Sequence, residues 1–144
     1  MIRLENLSKE DFQLLLEDLS SRLPYGVMVT SVDWHFFAEE LSTITLDKGG
    51  VTQTKEGTAT YLCNTMPYLR PMDSMTEEEK QYVEKYFTYT GYDDWDYVKF
   101  LNEKMFDYRG LIPKGLASNV YEYSEEGDEI YKWLPKKKEE KEIN

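Results

Sequence analysis

The stretch PYLRPMDSMTEEE, residues 67–79, decides how the chain divides. Pro67 and Pro71 fix their own φ and push Met66 and Arg70 toward extended backbone, so residues 67–72 should cross a surface or a sheet edge without becoming helical. Thr76 then starts a helix. Its hydroxyl can accept from the Glu79 amide while the Glu79 carboxylate reaches back to Thr76, and Glu77, Glu78 and Glu79 place negative charge at the positive end of the helix dipole. Two halves meet at this stretch, sheet-like before it and helix-like after it.

Working back toward the amino terminus, residues 51–54 and 58–63 alternate apolar or β-branched with polar residues around Lys55-Glu56-Gly57, the pattern of a hairpin. Residues 27–34 and 41–46 alternate in the same way, with a turn at Asp47-Lys48-Gly49-Gly50. The segment 35–40 is compatible with a strand end, a bulge or a helical turn. Ahead of the strands Ser8 caps a helix: Asp11 stands three residues on, Leu7 can staple onto Phe12, and Phe12, Leu15, Leu16, Leu19 and Leu23 recur at helical spacing. Pro24 and Gly26 stop it, and Arg22 in its last turn complements the dipole.

Working forward, the helix over 77–87 carries Tyr82, Val83, Tyr86 and Phe87 as a narrow apolar stripe on a charged rod. Asp93 can cap a third helix running to about residue 105, with Asp94 and Asp96 in its first turn and Trp95, Val98, Leu101 and Met105 on its inner face. Residues 107–117 read as a turn and a short helix whose length Gly110, Pro113 and Gly115 limit. From Ser124 on, seven acids and five bases with few apolar residues have the composition of a disordered tail. Ile130, Tyr131, Trp133 and Leu134 interrupt it, and they suit docking on the domain or on a partner. The expectation is one α+β domain over residues 1–123, a small antiparallel sheet of three or four strands packed against about three helices, followed by a charged tail, 124–144.

The formal charge of −11 disfavours direct binding to a nucleic-acid backbone, which needs clustered Lys and Arg to replace counterions, and it disfavours anionic membranes. Residues 73–103 hold nine acids and three bases, whereas 104–123 hold two and three, so the acid is concentrated on the helical half. A solvated face accounts for that, and so does a surface made for a basic partner. Glu77, Glu78, Asp93, Asp94 and Asp96 are the candidate contacts of such a surface. No apolar run approaches the roughly 20 residues that span a bilayer. A single cysteine and the lack of a signal-peptide pattern point to the cytoplasm. Twelve tyrosines exceed what a core of this size needs, leaving rings for contacts with a partner or a second copy.

No catalytic constellation, cofactor motif or metal-ligand spacing emerges. His35 lies between Trp34 and Phe36 and reads as packed or surface histidine rather than a base; Cys63 ends an apolar strand with no cation beside it to activate the thiol. Asp93, Asp94 and Asp96 lack the glycine and distal glutamate of a calcium loop, and helix capping accounts for them. The four arginines are more informative. Arg70 follows Tyr68-Leu69 and Arg109 follows Asp107-Tyr108, each beside a tyrosine and each able to grip a carboxylate or phosphate through two parallel hydrogen bonds. If the two loops meet, Tyr68, Arg70, Tyr108 and Arg109 form a pocket for a nucleotide-like small molecule. The competing account pairs Arg109 with Asp107 and Arg70 with Asp73.

The junction YLRPM, together with LPYGV at residues 23–27 and FDYRGLIPKGLA at residues 106–117, resembles an uncharacterised family of short proteins from gut-bacterial phages, prophages and mobile elements. The resemblance covers residues 8–120 and implies a mobile-element, cytoplasmic context without implying an activity. The chain departs from it at Lys104 and Met105, where members carry a His pair, and at Pro113, where they carry Glu. The expected function is a non-enzymatic accessory protein that binds a host protein, with small-molecule sequestration as the alternative.

Overall fold

Ser8 caps the first helix as its spacing predicts, its Oγ accepting from the Asp11 amide at 3.0 Å. In the computed structural model, which describes residues 7–32, 38–87, 91, 94–123 and 130–135, this helix, α1, spans Lys9–Arg22. Leu15 and Leu19 are fully buried, and Leu7, Phe12, Leu16 and Leu23 pack around them. The LPYGV segment converts helix to strand: Leu23–Tyr25 forms a single 3-10 turn that closes on Gly26, whose φ of 77° suits a residue without Cβ.

Six strands follow: β1 (Met28–Ser31), β2 (Glu39–Thr45), β3 (Val51–Thr54), β4 (Ala59–Tyr61), β5 (Thr65–Leu69) and β6 (Ser118–Asn119). They form one sheet in the order β4-β3-β2-β1-β5-β6, antiparallel except for the parallel pair β5–β6. The α+β class matches expectation, and the sheet is larger and mixed. Both added strands have a physical reason to be hard to read. Pro67 and Pro71 disguise β5, which nevertheless sits inside the sheet, with Pro67 opposite Val29 and with β6 joining only from Tyr68 onward. Strand β6 is two residues long and exists only because β5 offers it an edge.

The sheet curls strongly. Ser31 on β1 and Thr60 on β4 bring their hydroxyls to 3.1 Å although two strands lie between them, and Thr52 on β3 meets Thr65 on β5 at 2.7 Å. These hydroxyls are buried, and each finds its partner across the concave face.

The capping box at Thr76 is complete, with Glu79 N–H to Thr76 Oγ1 at 3.1 Å and Thr76 N–H to Glu79 Oε1 at 2.9 Å. It opens α2 (Glu77–Tyr86). Helix α3 spans Trp95–Glu103 and is capped by Asp94, which accepts from the Asp96 and Tyr97 amides; Asp93, the expected cap, lies outside the described residues. The inner face of α3 matches expectation at Leu101 and at Met105 just beyond the helix, and differs at its amino-terminal end. Tyr97, Phe100 and Leu101 are buried while Trp95 is 78% exposed, because α3 turns its aromatic face toward Val83 and Phe87. On α2 only Val83 is buried, and Tyr82 and Tyr86 point outward.

The end of α3 ties the halves together. Met105 adopts a left-handed φ of 61°, and the bonds Phe106 N–H to Leu101 O and Met105 N–H to Asn102 O complete a Schellman stop that glycine usually supplies. The turn sends the chain alongside the junction, where Arg70 N–H donates to Met105 O and Asp107 N–H to Arg70 O, both at 2.8 Å. Residues 107–117 form successive turns in place of the short helix expected there, and a short helix, α4 (Val120–Tyr123), follows β6 instead.

Two apolar clusters result. The larger joins α1, the sheet and residues 111–121 through mainly aliphatic side chains. The smaller joins α2 and α3 through Met75, Val83, Tyr97, Phe100, Leu101 and Phe106. Within the charged carboxyl-terminal region Ile130, Tyr131 and Leu134 pack into the larger cluster, so these residues dock on the domain. The Tyr131 hydroxyl accepts from Met28 N–H and donates to Tyr68 O, both at 2.9 Å, bridging β1 and β5 one residue beyond their Val29–Pro67 pair. Residues 124–129 and 136–144 of the expected tail lie outside the described residues.

Candidate functional site: the groove between α2 and α3

Arg70 and Arg109, the arginines singled out by sequence, are both engaged by carboxylates, and neither carboxylate is the one that sequence proximity suggests. Arg70 is fully buried and makes two parallel bonds to Glu79, Nη1 to Oε2 at 2.8 Å and Nη2 to Oε1 at 2.7 Å, with its guanidinium 4.0 Å from the centre of the Phe106 ring. Burial pushes the Glu79 carboxyl up, but the Arg70 guanidinium and the Thr76 amide outweigh it and hold Glu79 below the usual carboxylate range. Arg109 donates to Asp18 Oδ1 at 2.8 Å, sharing that carboxylate with Arg22, which grips it through Nε and Nη2 at 3.0 Å each. Arg22 stands in the last turn of α1 as expected, and it is also fully buried with Asp18.

The tyrosines of the expected pocket also have partners within the fold. Tyr68 is 2% exposed, and its carbonyl receives the Tyr131 hydroxyl. Tyr108 donates to Asn102 Oδ1 at 2.9 Å and lies under the Arg109 guanidinium. Asp107 accepts from the Leu111 and Ile112 amides, which holds the loop and keeps it from Arg109. Arg70 and Arg109 therefore belong to separate ion-pair clusters. These are linked through Phe106, whose ring carries Arg70 and whose carbonyl accepts from Arg22 Nη2 at 2.6 Å.

The acidic candidates fall differently. Glu77 and Glu78 are exposed in the first turn of α2, Asp94 caps α3 and Asp96 is exposed in its first turn. Asp93 is not among the described residues. Glu78 joins Glu79, Tyr82, Phe100, Glu103 and Lys104 to line an open groove of about 390 Å³ between α2 and α3. Tyr82 stacks on Phe100 with ring centres 5.4 Å apart, and its other contacts are Tyr86 at 4.7 Å and Phe87 at 5.9 Å. Lys104 Nζ lies 5.4 Å from the Trp133 ring, so the docked carboxyl-terminal segment reaches the rim of the groove.

The charges of this groove are unlike those deeper in the molecule. Glu79 is neutralised by Arg70, whereas the Glu78 and Glu103 side chains have no hydrogen-bond or ion-pair partner among the described residues. That leaves two free carboxylates against Lys104, over a floor of aromatic rings, an arrangement suited to receiving a cation. Glu103, Lys104, Tyr82 and Phe100 were not candidates from sequence, and Trp133 was one only as part of a segment suited to docking. One signal was available, since Glu103 stands in the last turn of its helix, where the dipole favours a cation.

Among the described residues no group of three or more His, Cys, Asp or Glu side chains gathers as a metal site, and no helix is long and apolar enough to cross a membrane. No family model matches the chain, and no curated protein or solved structure matches it either.

Proposed function

We propose that this chain is a non-enzymatic binding protein of phage or mobile-element origin, which acts by occupying the surface of a host protein through the α2–α3 face. The observation that supports it is the groove itself: unpaired carboxylates Glu78 and Glu103 flank rings of which Tyr82 is 47% and neighbouring Tyr86 59% exposed. Tyrosine is enriched at protein-binding surfaces, where rigid rings supply contact area at low entropic cost, and the flanking carboxylates suit the polar rim of such a surface. The arginines support this choice over small-molecule sequestration. A phosphate at Arg70 would have to displace Glu79 from a two-bond, largely buried pair, and one at Arg109 would meet the Asp18 carboxylate already bound there.

The test is site-specific photo-crosslinking in the bacterial host, with the photoreactive residue replacing Tyr86 in one strain and the exposed Gln53 of β3 in another. One defined host protein should attach from position 86 and not from position 53. The attachment should disappear when Glu78→Lys and Glu103→Lys are combined, and persist when His35 and Cys63 are replaced. Attachment from position 53 in place of 86, or indifference to the charge reversal, would overturn the proposal.

A further inference from the structure

We infer that the α2–α3 groove receives one arginine side chain from the partner protein, an inference that rests on the docking role proposed above and adds the chemistry of the occupant. Glu103 is the first indication. It ends α3 with no partner among the described residues, at the pole of the helix dipole that disfavours a carboxylate, so it is locally misplaced in a helix whose other terminal features are well formed. A cation in the groove would relieve both the missing partner and the dipole.

The charge count sets the size of that cation. Three carboxylates line the groove, Glu78, Glu79 and Glu103; Arg70 neutralises Glu79 and Lys104 offsets one of the other two, leaving a single negative charge. One added positive charge balances it. The rings decide between the two basic side chains. Tyr82 stacks on Phe100 and is half exposed, offering a flat apolar surface beside carboxylates. A planar guanidinium can lie on such a surface while its N–H groups donate sideways to Glu78 and Glu103, whereas a compact, strongly hydrated ammonium gains less there. The molecule already uses this arrangement internally, with Arg70 lying 4.0 Å from the Phe106 ring while donating twice to Glu79.

The test is a titration of the isotope-labelled full chain with N-acetyl-arginine amide, followed through the backbone amides. N-acetyl-citrulline amide serves as the uncharged isostere and N-acetyl-lysine amide as the ammonium control. Arginine should move the amides of Tyr82, Phe100, Glu103 and Lys104, lysine should do so more weakly, and citrulline should not. Glu103→Gln, with its spectrum otherwise unchanged, should weaken the arginine response roughly twofold to fivefold, as expected for a solvent-accessible ion pair. An equal response to citrulline, a lysine response as strong as that to arginine, or no response at these amides would each overturn the assignment. A failed titration with successful crosslinking from position 86 would remove only the arginine, whereas failed crosslinking would remove the docking role beneath it.

Discussion

The two apolar clusters handle charge in opposite ways. Around the larger one, every buried charge has partners: Asp18 is shared by Arg22 and Arg109, and Asp107 accepts from two backbone amides. In the smaller one, buried Arg70 is paired with partly exposed Glu79 beneath a face whose outer carboxylates Glu78 and Glu103 have no partner among the described residues and whose Tyr82 and Tyr86 are exposed. Burial makes an unpaired charge costly, so charges near the larger cluster must be satisfied within the fold, while those on α2 and α3 remain available because water can solvate them until something else does. Residue type alone therefore says little about function here. The arginines beside tyrosines are engaged by carboxylates of the fold, and the candidate site rests on a glutamate at the end of a short helix.

The contrast can be tested from its strongest element downward. Asp18→Asn removes the charge that two arginines share and leaves fully buried Arg22 without a counterion; it should cost about 4–5 kcal/mol, the upper part of the range for breaking a buried pair, as measured by urea unfolding. Glu79→Gln should cost about 3 kcal/mol, because Arg70 keeps other contacts, among them the Phe106 ring. The same pair carries a pH dependence. With Glu79 held below its unfolded pKa, its contribution is complete above the ordinary carboxylate range and is lost as pH falls through the depressed folded value. The stability difference between wild type and Glu79→Gln should accordingly shrink on acidification. A difference that grew instead would remove the ion pair from the account.

Tyr131→Phe should cost about 1–3 kcal/mol, since it leaves Met28 N–H and Tyr68 C=O without the hydroxyl that bridges them. Burial also raises the Tyr131 pKa, so its contribution is present below the ordinary tyrosine range and fades as pH rises above it. Glu103→Gln should change stability least, within about 0.5 kcal/mol and in the stabilising direction, because it removes an unpaired charge from the wrong end of a helix dipole. A loss above 1 kcal/mol in thermal unfolding would place Glu103 with the structural charges and erase the contrast between the clusters.

What could be read along the chain was what neighbouring residues decide. The caps at Ser8 and Thr76, the stops at Pro24 and Gly26, and the hairpin around Gly57 depend on bonds spanning three or four residues, and all were legible. The segment 130–135 was legible in part, as apolar residues with no assigned place. Strand β5 was hidden because its prolines carry a local meaning that the neighbouring strands override, and β6 because two residues form a strand only beside an existing edge. On α3 the expected inner face held at Leu101 and Met105 but misplaced Trp95, because contact with Val83 and Phe87 draws Tyr97 and Phe100 inward.

The sequence by itself determined the class, the helix boundaries near their caps, and the concentration of acid in residues 73–103. Only the tertiary structure decided which charges are bound and which are free. Asp18 and Arg109 are 91 residues apart in sequence and 2.8 Å apart in space, and the carboxylates nearest to Arg70 and Arg109 along the chain are not the ones that hold them. Ion pairing depends on distance and burial, and both are set by how helices and strands pack rather than by the order in which they occur.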